Sequence, residues 1–365
     1  MPEFIKGLEL SGRFFEEAVR PVLEAEFPRL RYAAALLGTG SEVLGFDTEM
    51  SADHGWGPRV DLFLAEEDFD AACDAVREAL RHKLPHSFRG YPTSFTEPDP
   101  TDNGVQHMDA RDEGPVNHKV ELMTPRGFFR NYLAFNVEHE IEPADWLTFP
   151  EQKLRTIKSG AVFHDRLGLE ELRQRFSYYP HDVWLYQLAS AWTRVGQEEH
   201  LMGRAGLVGD EIGSALIGAR LVRDLMRLCF LLERAYAPYP KWFGTAFKQL
   251  SCAEELSPHL RAALAAETWR ERERHLVAVY EHVARLHNAS GLTDPLPTEP
   301  RDFFGRPFKV IELYGHAAAL LARITDERVR RIAARRPIGG IDLFSDSTDL
   351  VSHAAWRATL RKLYE

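Results

Sequence analysis

The sequence predicts an α+β protein, with an N-terminal mixed sheet and flanking helices followed by an all-α domain. Apolar runs at residues 32–37 and 60–64 have the length of buried strands, and the first stops at a glycine-rich turn. Residues 116–124 alternate apolar and polar side chains, which is typical of a half-buried strand. From residue 151 onward, apolar positions recur mostly at helical spacing, so we expect helices there.

The length of 365 residues is more than one domain usually needs. A change of texture at residues 138–150 separates the two patterns, so we expect domains at residues 1–148 and 149–365. Hydrophobic residues make up 44% of the chain, which is enough for two cores. The expected helices cover residues 11–27, 66–82, 151–157, 169–175, 183–194, 197–208, 211–236, 242–249, 258–266 and 269–287.

The amino-acid composition limits which partners we expect for the protein and in which cellular compartment we expect it. The net charge of −10 does not suit a protein that coats nucleic acid, so nucleic acid is not an expected partner. No run of about 18 apolar residues and no signal-like N-terminus occurs, so we expect a cytoplasmic protein without a membrane partner. Cys73, Cys229 and Cys252 lack CxxC spacing, so we expect buried thiols rather than a zinc site or disulfides.

The first strand ends in a turn, Gly38-Thr39-Gly40-Ser41, whose glycines allow the backbone to approach a triphosphate. The turn amides and Ser41 can donate hydrogen bonds to phosphate oxygens. Asp53 follows after residues 42–52, and Asp61 lies within the second strand. Carboxylates and phosphate oxygens together are the ligands that Mg²⁺ takes, so this layout is that of a nucleotidyl-transfer site.

One position departs from that layout, because a second metal-binding acid is expected at Gly55. Asp61 is the nearest substitute, and the register of its strand decides whether it faces the site. Glu121, on the later strand, is the third carboxylate, either as a metal ligand or as the base that takes the acceptor proton. The alternative is a simple Gly-Ser turn with solvated aspartates and a solvent-facing Glu121.

The helical half offers further candidates for nucleotide binding. Arg220 and Arg223 could contact phosphate from a cleft facing the Gly-Ser turn, or could form ion pairs such as Arg220 with Asp224. Tyr239 and Lys241 could stack a base and contact a phosphate, and the alternative is a packed aromatic corner with no ligand.

Long motifs carry a family resemblance over nearly the whole chain. They include GSEVLGFDTEMSADHGWGPRV, ADWLTFPEQKL, YYPHDVWLYQLASAW, GQEEHLMGRAGLVGDEIGSALIGARLV and GGIDLFSDSTD. The chain resembles a bacterial family of nucleotidyltransferase-like proteins with a C-terminal helical region of unknown function. That family is similar to the aminoglycoside and lincosamide nucleotidyltransferases, in which a polymerase β-like domain precedes a helical one.

The resemblance implies an enzyme that moves a nucleoside monophosphate from an NTP, with ATP expected, to an acceptor hydroxyl. It implies a Mg²⁺ or Mn²⁺ cofactor, and it supplies a reaction class without a substrate. We expect the acceptor to be an unidentified small molecule bound between the two domains, the usual place for a small-molecule pocket. Gly40 and Ser41 match the triphosphate turn, Asp53 matches the first metal aspartate, and Glu121 matches the third acid. Family members usually carry an acid where this chain has Gly55, which puts two-metal catalysis in question.

Two other functions stay open at this point. The chain could be a nucleotide-binding or regulatory protein that lost transfer activity at Gly55. It could also be a toxin–antitoxin-type enzyme that attaches a nucleotide to a protein or to an RNA. The acidic net charge argues mildly against RNA, because phosphate contacts need lysine or arginine.

Overall fold

The computed structural model describes residues 3–53, 55–102 and 104–365, with the side chain of Asp53 outside the description. The chain forms two compact units. The first unit is Met1–Glu140 with Lys153–Ser177, and the second is Ile141–Gln152 with Tyr178–Glu365. Residues 153–177, which the sequence analysis assigned to the helical half, therefore lie in the first unit.

The first unit contains a four-stranded mixed sheet in the order β7-β2-β1-β8. Strand β1 is antiparallel to β2 and β8, whereas β2 and β7 run parallel. The three strands expected from the sequence are confirmed, and β8 is an additional strand beyond residue 151. The described strands are β1 Tyr32–Leu36, β2 Arg59–Leu64, β3 Ser87–Phe88, β4 Tyr91–Pro92, β5 Ser94–Phe95, β6 Met108–Asp109, β7 Lys119–Met123 and β8 Ala161–Asp165.

One face of this sheet is covered by the helices that precede and follow β1 and β2. Leu10, Phe14 and Leu23 of the N-terminal helical segment pack on Leu62, and Val76 of α3 joins the same core. The N-terminal helical segment begins at Gly7 and not at residue 11 as expected, and a π-helical turn, Phe15–Val19, joins α1 to α2. The helices of this unit are α1 Gly7–Phe14, α2 Arg20–Glu26, α3 Phe69–Lys83, α4 Pro125–Leu133, most of α6 (Glu151–Ser159) and α7 Leu169–Gln174.

The second unit is helical apart from one β-hairpin, so the expectation of an all-α region is wrong in that detail. The hairpin consists of β9 Arg301–Phe303 and β10 Arg306–Val310. Helix α5 also lies in the segment that looked like a linker. The helices are α5 Pro143–Thr148, α8 His181–Leu207, α9 Glu211–Leu232, α10 Phe243–Phe247, α11 Ala253–Ala265, α12 Trp269–Ala289, α13 His316–Leu321, α14 Glu327–Ala333, α15 Ile341–Phe344, α16 Thr348–Ser352 and α17 Arg357–Arg361.

Helix α8 is continuous, although the sequence predicted two helices separated near Gly196. A Cβ on Gly196 would lie 2.6 Å from Cγ of Glu312, so this glycine permits a close side-chain contact and does not end the helix. At the start of α9, the apolar side chains of Ile212 and Leu216 are 78% and 65% exposed, whereas the small residues Ser214 and Gly218 form the buried face.

Cys73, Cys229 and Cys252 are free and buried, as expected from their spacing. Among the helices in the described part of the chain, none is both long enough and apolar enough to cross a membrane.

Candidate functional site

The face of the sheet opposite the α1–α3 core carries charged side chains. Alternate residues of a strand point to opposite faces, and Val60, Leu62 and Val120 belong to the core. The intervening residues pair in register across the parallel strands, Arg59 with Lys119 and Asp61 with Glu121. The register that the sequence left open therefore places Asp61 and Glu121 side by side on one face.

Asp61 is buried, with 8% of its surface exposed, and one carboxylate oxygen is already engaged. Oδ2 accepts a hydrogen bond of 2.8 Å from the amide of Leu37, the residue that leads into the glycine-rich turn. Burial raises the pKa of Asp61 to about 6, against the lowering effects of Arg59 and of the Leu37 amide. Asp61 thus ties the second strand to the start of the turn.

Arg59 fixes the turn itself. Its Nη2 donates to the carbonyl of Thr39 at 2.8 Å and pairs with Oε1 of Glu42 at 2.7 Å. Gly40 has a φ of 149°, and a Cβ there would lie 2.7 Å from Nη2 of Arg59. Glycine is needed at this position both for its φ and for the close approach of the guanidinium.

Lys119 lies on the same face, beside the position where the sequence layout lacks an acid. Its Nζ donates to Oε1 of Gln106 at 3.3 Å and stands 5.3 Å from the ring centre of Phe95. Burial lowers the pKa of Lys119, and the positive charge of Arg59 lowers it further. Gly55 has a φ of 64°, and a Cβ there would lie 2.9 Å from Nζ of Lys119.

The remaining residues of the predicted turn and loop have different environments. Ser41 is the last residue of the glycine-rich turn, and its carbonyl accepts from the amide of Phe46 at 2.9 Å. Asp53 ends a short 3₁₀ turn, but its side chain lies outside the described residues. Asp47, another acid between the turn and the second strand, is fully buried and accepts from the amide of Gly7 at 2.7 Å. Asp47 therefore anchors the first turn of α1.

The described carboxylates can offer a divalent ion two neighbouring ligands. Asp61 has a second oxygen besides the one that the Leu37 amide contacts, and Glu121 is exposed next to it. Among the side chains that the structure describes, no three of His, Cys, Asp and Glu are gathered so that they could hold a metal ion. A complete site would therefore need Asp53, and that ligand set stays a prediction.

The residues predicted to contact nucleotide from the helical region lie in the second unit, and there Arg220, Arg223 and Lys241 have a partner or a neighbouring ring. Arg220 Nε donates to Glu198 at 2.8 Å, so it pairs across helices rather than along α9 with Asp224. Arg223 pairs with Asp224 at 3.2 Å and also with Asp346 at 2.5 Å. Lys241 Nζ lies 5.0 Å from the Trp242 ring centre, and Tyr239 is 38% exposed. A nucleotide contact from these residues stays a prediction.

The first unit also contains a cavity of about 690 Å³ at the ends of β2 and β7, which the sequence analysis did not find. Its lining combines aromatic rings with carboxylates and other polar groups, among them Glu66, Asp70, Thr124, Phe128, Asn131 and Tyr132. A Cβ on Gly38 would lie 3.5 Å from Phe128 and 3.7 Å from Tyr132, so the cavity adjoins the turn. The sequence feature that indicates this region is Thr124 followed by Pro125, which predicts the start of a helix. The Thr124 side chain does cap α4, the helix that supplies part of the cavity lining.

The fold and this face define an α+β protein with a candidate ligand site on a mixed sheet. Residues 146–243 match the sequence pattern of a family described as a domain of unknown function, DUF4037. No curated protein matches the chain. The crystal structure of a nucleotidyltransferase-like protein from Exiguobacterium sibiricum 255-15 is similar over 76% of this chain and 77% of that chain, at 11% identity and a TM-score of 0.33.

Proposed function

We propose that the first unit binds a nucleoside triphosphate, with ATP expected, on the charged face of its sheet and transfers the nucleoside monophosphate to a hydroxyl of a small molecule. The observation that carries this proposal is the register pairing of Asp61 with Glu121 next to the glycine-rich turn. Two adjacent carboxylates beside a turn that can approach phosphates are what metal-assisted phosphoryl chemistry requires.

Asp61 and Glu121, with Asp53 as the third predicted ligand, would hold Mg²⁺ or Mn²⁺, which neutralises triphosphate charge when bound. The Leu37 amide holds Asp61 in place, and Arg59 keeps the turn in its conformation. Glu121 is exposed, so the carboxylate oxygen that does not contact the ion can take the proton of the acceptor hydroxyl. The hydroxyl oxygen then bonds to the α-phosphorus, the bond to the bridging oxygen breaks, and pyrophosphate leaves.

The cavity beside the turn is the space in the first unit that suits the acceptor. Its mixture of aromatic rings and polar groups is typical of small-molecule sites, which use a few polar groups to fix orientation. Met123 lines this cavity and stands two positions after Glu121 on the same face of β7. An acceptor bound there would lie next to the proposed base.

The test begins with thermal unfolding in each of the four NTPs, with and without Mg²⁺. A ligand that binds only the folded protein raises the unfolding midpoint, so we expect a Mg²⁺-dependent rise for at least one NTP. We expect Glu121→Gln to release pyrophosphate about 100-fold more slowly in the presence of a deproteinised bacterial extract. Glu24→Gln, an exposed change on α2, is the matched control and should behave as wild type.

The nucleotide-binding alternative has one observation in its favour, because Lys119 places a positive charge beside Gly55 without any metal. It predicts stabilisation by an NTP in EDTA and no pyrophosphate release with any acceptor. Retained turnover in Glu121→Gln would remove that residue from the proposed mechanism. The alternative of a protein or RNA acceptor stays a prediction, and a mass increase of one nucleotide on such a molecule would support it.

A further inference from the structure

Gly55 is the position where the sequence layout expects a metal-binding acid, and the space in front of it is not empty. A Cβ on Gly55 would lie 2.9 Å from Nζ and 3.7 Å from Cε of Lys119. An acidic side chain at this position would therefore meet an ammonium group rather than open solvent. Gly55 therefore lies next to the ammonium group of Lys119 at the place where the sequence layout expects a metal ligand.

Lys119 is held in this place by contacts that leave donors for a ligand. Gln106 connects the two positions, because its carbonyl accepts from the amide of Gly55 at 2.9 Å and its side chain accepts from Nζ of Lys119. The Gln106 side chain is itself anchored by a 2.8 Å hydrogen bond to the carbonyl of Thr96. An ammonium has three N–H donors, and the Gln106 contact uses one of them.

A second divalent ion does not fit next to this group. Two like charges a few ångströms apart repel each other, and the repulsion is strongest where water is partly excluded. Arg59, the register partner of Lys119, lies at the same edge of the face, but Glu42 at 2.7 Å pairs with its charge, so Lys119 is the cation there that a ligand can neutralise. Phosphate oxygens are the complementary ligand, because a lysine ammonium binds phosphate as a compact point charge.

We propose that the Lys119 ammonium binds the triphosphate directly at the position that Gly55 leaves without an acid, so that the site uses one divalent ion and one lysine instead of two ions. This inference rests on the proposed function, since it assumes that an NTP binds this face. In this proposal, the ammonium of Lys119 takes the place of the second divalent ion that the sequence layout expects.

The first experiment measures the affinity of the protein for inorganic triphosphate, and for the NTP that stabilises it most, by calorimetry in EDTA and in Mg²⁺. We expect wild type to bind both in EDTA. Lys119→Met removes the charge and keeps most of the side-chain volume, and we expect affinity in EDTA to fall about tenfold or more. Lys119→Arg keeps the positive charge, so this variant should retain part of the affinity in EDTA. Lys83→Met, on an exposed lysine of α3, should change nothing.

A second pair of variants tests the position itself. Asn and Asp both tolerate the positive φ of Gly55 and have the same size, so both displace Nζ to a similar extent. Only Gly55→Asp adds a carboxylate that pairs with Lys119. We therefore expect Gly55→Asp to weaken triphosphate binding in EDTA several-fold more than Gly55→Asn, and Mg²⁺ to restore binding to the Asp variant.

The outcomes separate this inference from the proposed function. Wild type that binds an NTP only with Mg²⁺, together with unchanged binding by Lys119→Met, would overturn the lysine's role and leave the transfer proposal standing. Equal losses in Gly55→Asp and Gly55→Asn would likewise overturn it. Loss of EDTA binding in Lys119→Met without any pyrophosphate release by wild type would support the lysine's role and overturn transfer. Absence of all NTP and triphosphate binding by wild type would overturn both.

Discussion

Asp61 and Glu121 are register partners on neighbouring parallel strands, yet their environments are opposite. Asp61 is buried and accepts a backbone hydrogen bond, whereas Glu121 is exposed. Removal of the first side chain should therefore affect folding, binding and turnover, while removal of the second should affect binding and turnover without affecting folding. A comparison of variants at Asp61 and Glu121 therefore separates effects on folding from effects on function within one site.

Asp61→Ala should lower the free energy of unfolding by about 1–3 kcal/mol, because the buried Leu37 amide loses its acceptor. Asp61→Asn keeps an acceptor oxygen and should cost less. Both variants should lose the Mg²⁺-dependent part of NTP stabilisation. Urea unfolding gives the first quantity and thermal unfolding with NTP gives the second. A fully stable Asp61→Ala protein would show that the hydrogen bond contributes nothing.

Two helical glycines in the second unit should respond to alanine with opposite signs. A Cβ on Gly206 would lie 2.2 Å from the ring of Trp269, so Gly206→Ala should destabilise the protein by about 1–3 kcal/mol. A Cβ on Gly244 in α10 would meet no atom within 4 Å apart from its own helical turn, so Gly244→Ala should stabilise the protein by about 0.5–1 kcal/mol. Denaturant unfolding of both variants measures the difference, and equal signs would contradict the packing described for Gly206.

Glu199 should make the second unit less stable in alkali. The side chain is 3% exposed, and burial raises its pKa from 4.5 to about 8, although the Ile311 amide donates to it at 2.8 Å. The folded-state pKa is the higher one, so its contribution is fully present below pH 4.5 and is lost as the pH rises through about 8. Glu199→Gln should therefore gain stability relative to wild type between pH 5 and pH 9.

Unfolding free energies of wild type and Glu199→Gln at pH 5, 7 and 9 provide this measurement. A difference between the two proteins that does not change with pH would mean that Glu199 has its ordinary pKa in the folded protein.

Asp145 holds two arginines of the C-terminal helix α17. It contacts Arg357, and it pairs with Arg361 at 3.0 Å. The side chains of Asp145 and Arg357 are 4% and 10% exposed, so Asp145→Ala would leave a nearly buried guanidinium without this carboxylate. We expect a loss of about 3–5 kcal/mol.

The matched control is Glu9→Ala, which removes an exposed partner of Arg13 and should have no measurable effect on urea unfolding. If Asp145→Ala were as mild as this control, the contact between α5 and α17 would contribute little to the second unit.

The sequence alone determined the elements whose signal is local. The strands at the glycine-rich turn, the polar–apolar alternation of β7 and the buried cysteines all follow from residue patterns, because such patterns record how each short segment meets water. Elements with weaker local signals were missed: β8 in the mostly helical half, the β9–β10 hairpin, and α5 within a proline-containing segment.

Only the tertiary structure decided which residues that are distant in the sequence lie close together. The face of Asp61 depended on the pairing of β2 with β7, since a shift of one residue would turn it into the core. The reason for glycine at position 196, inside the continuous helix α8, is the close approach of Glu312, more than a hundred residues later. The group opposite Gly55, which lies in the loop before β2, is a lysine of β7, so no spacing along the chain could reveal it. Local periodicity specifies segments, whereas contacts between distant segments fix register, packing and charge.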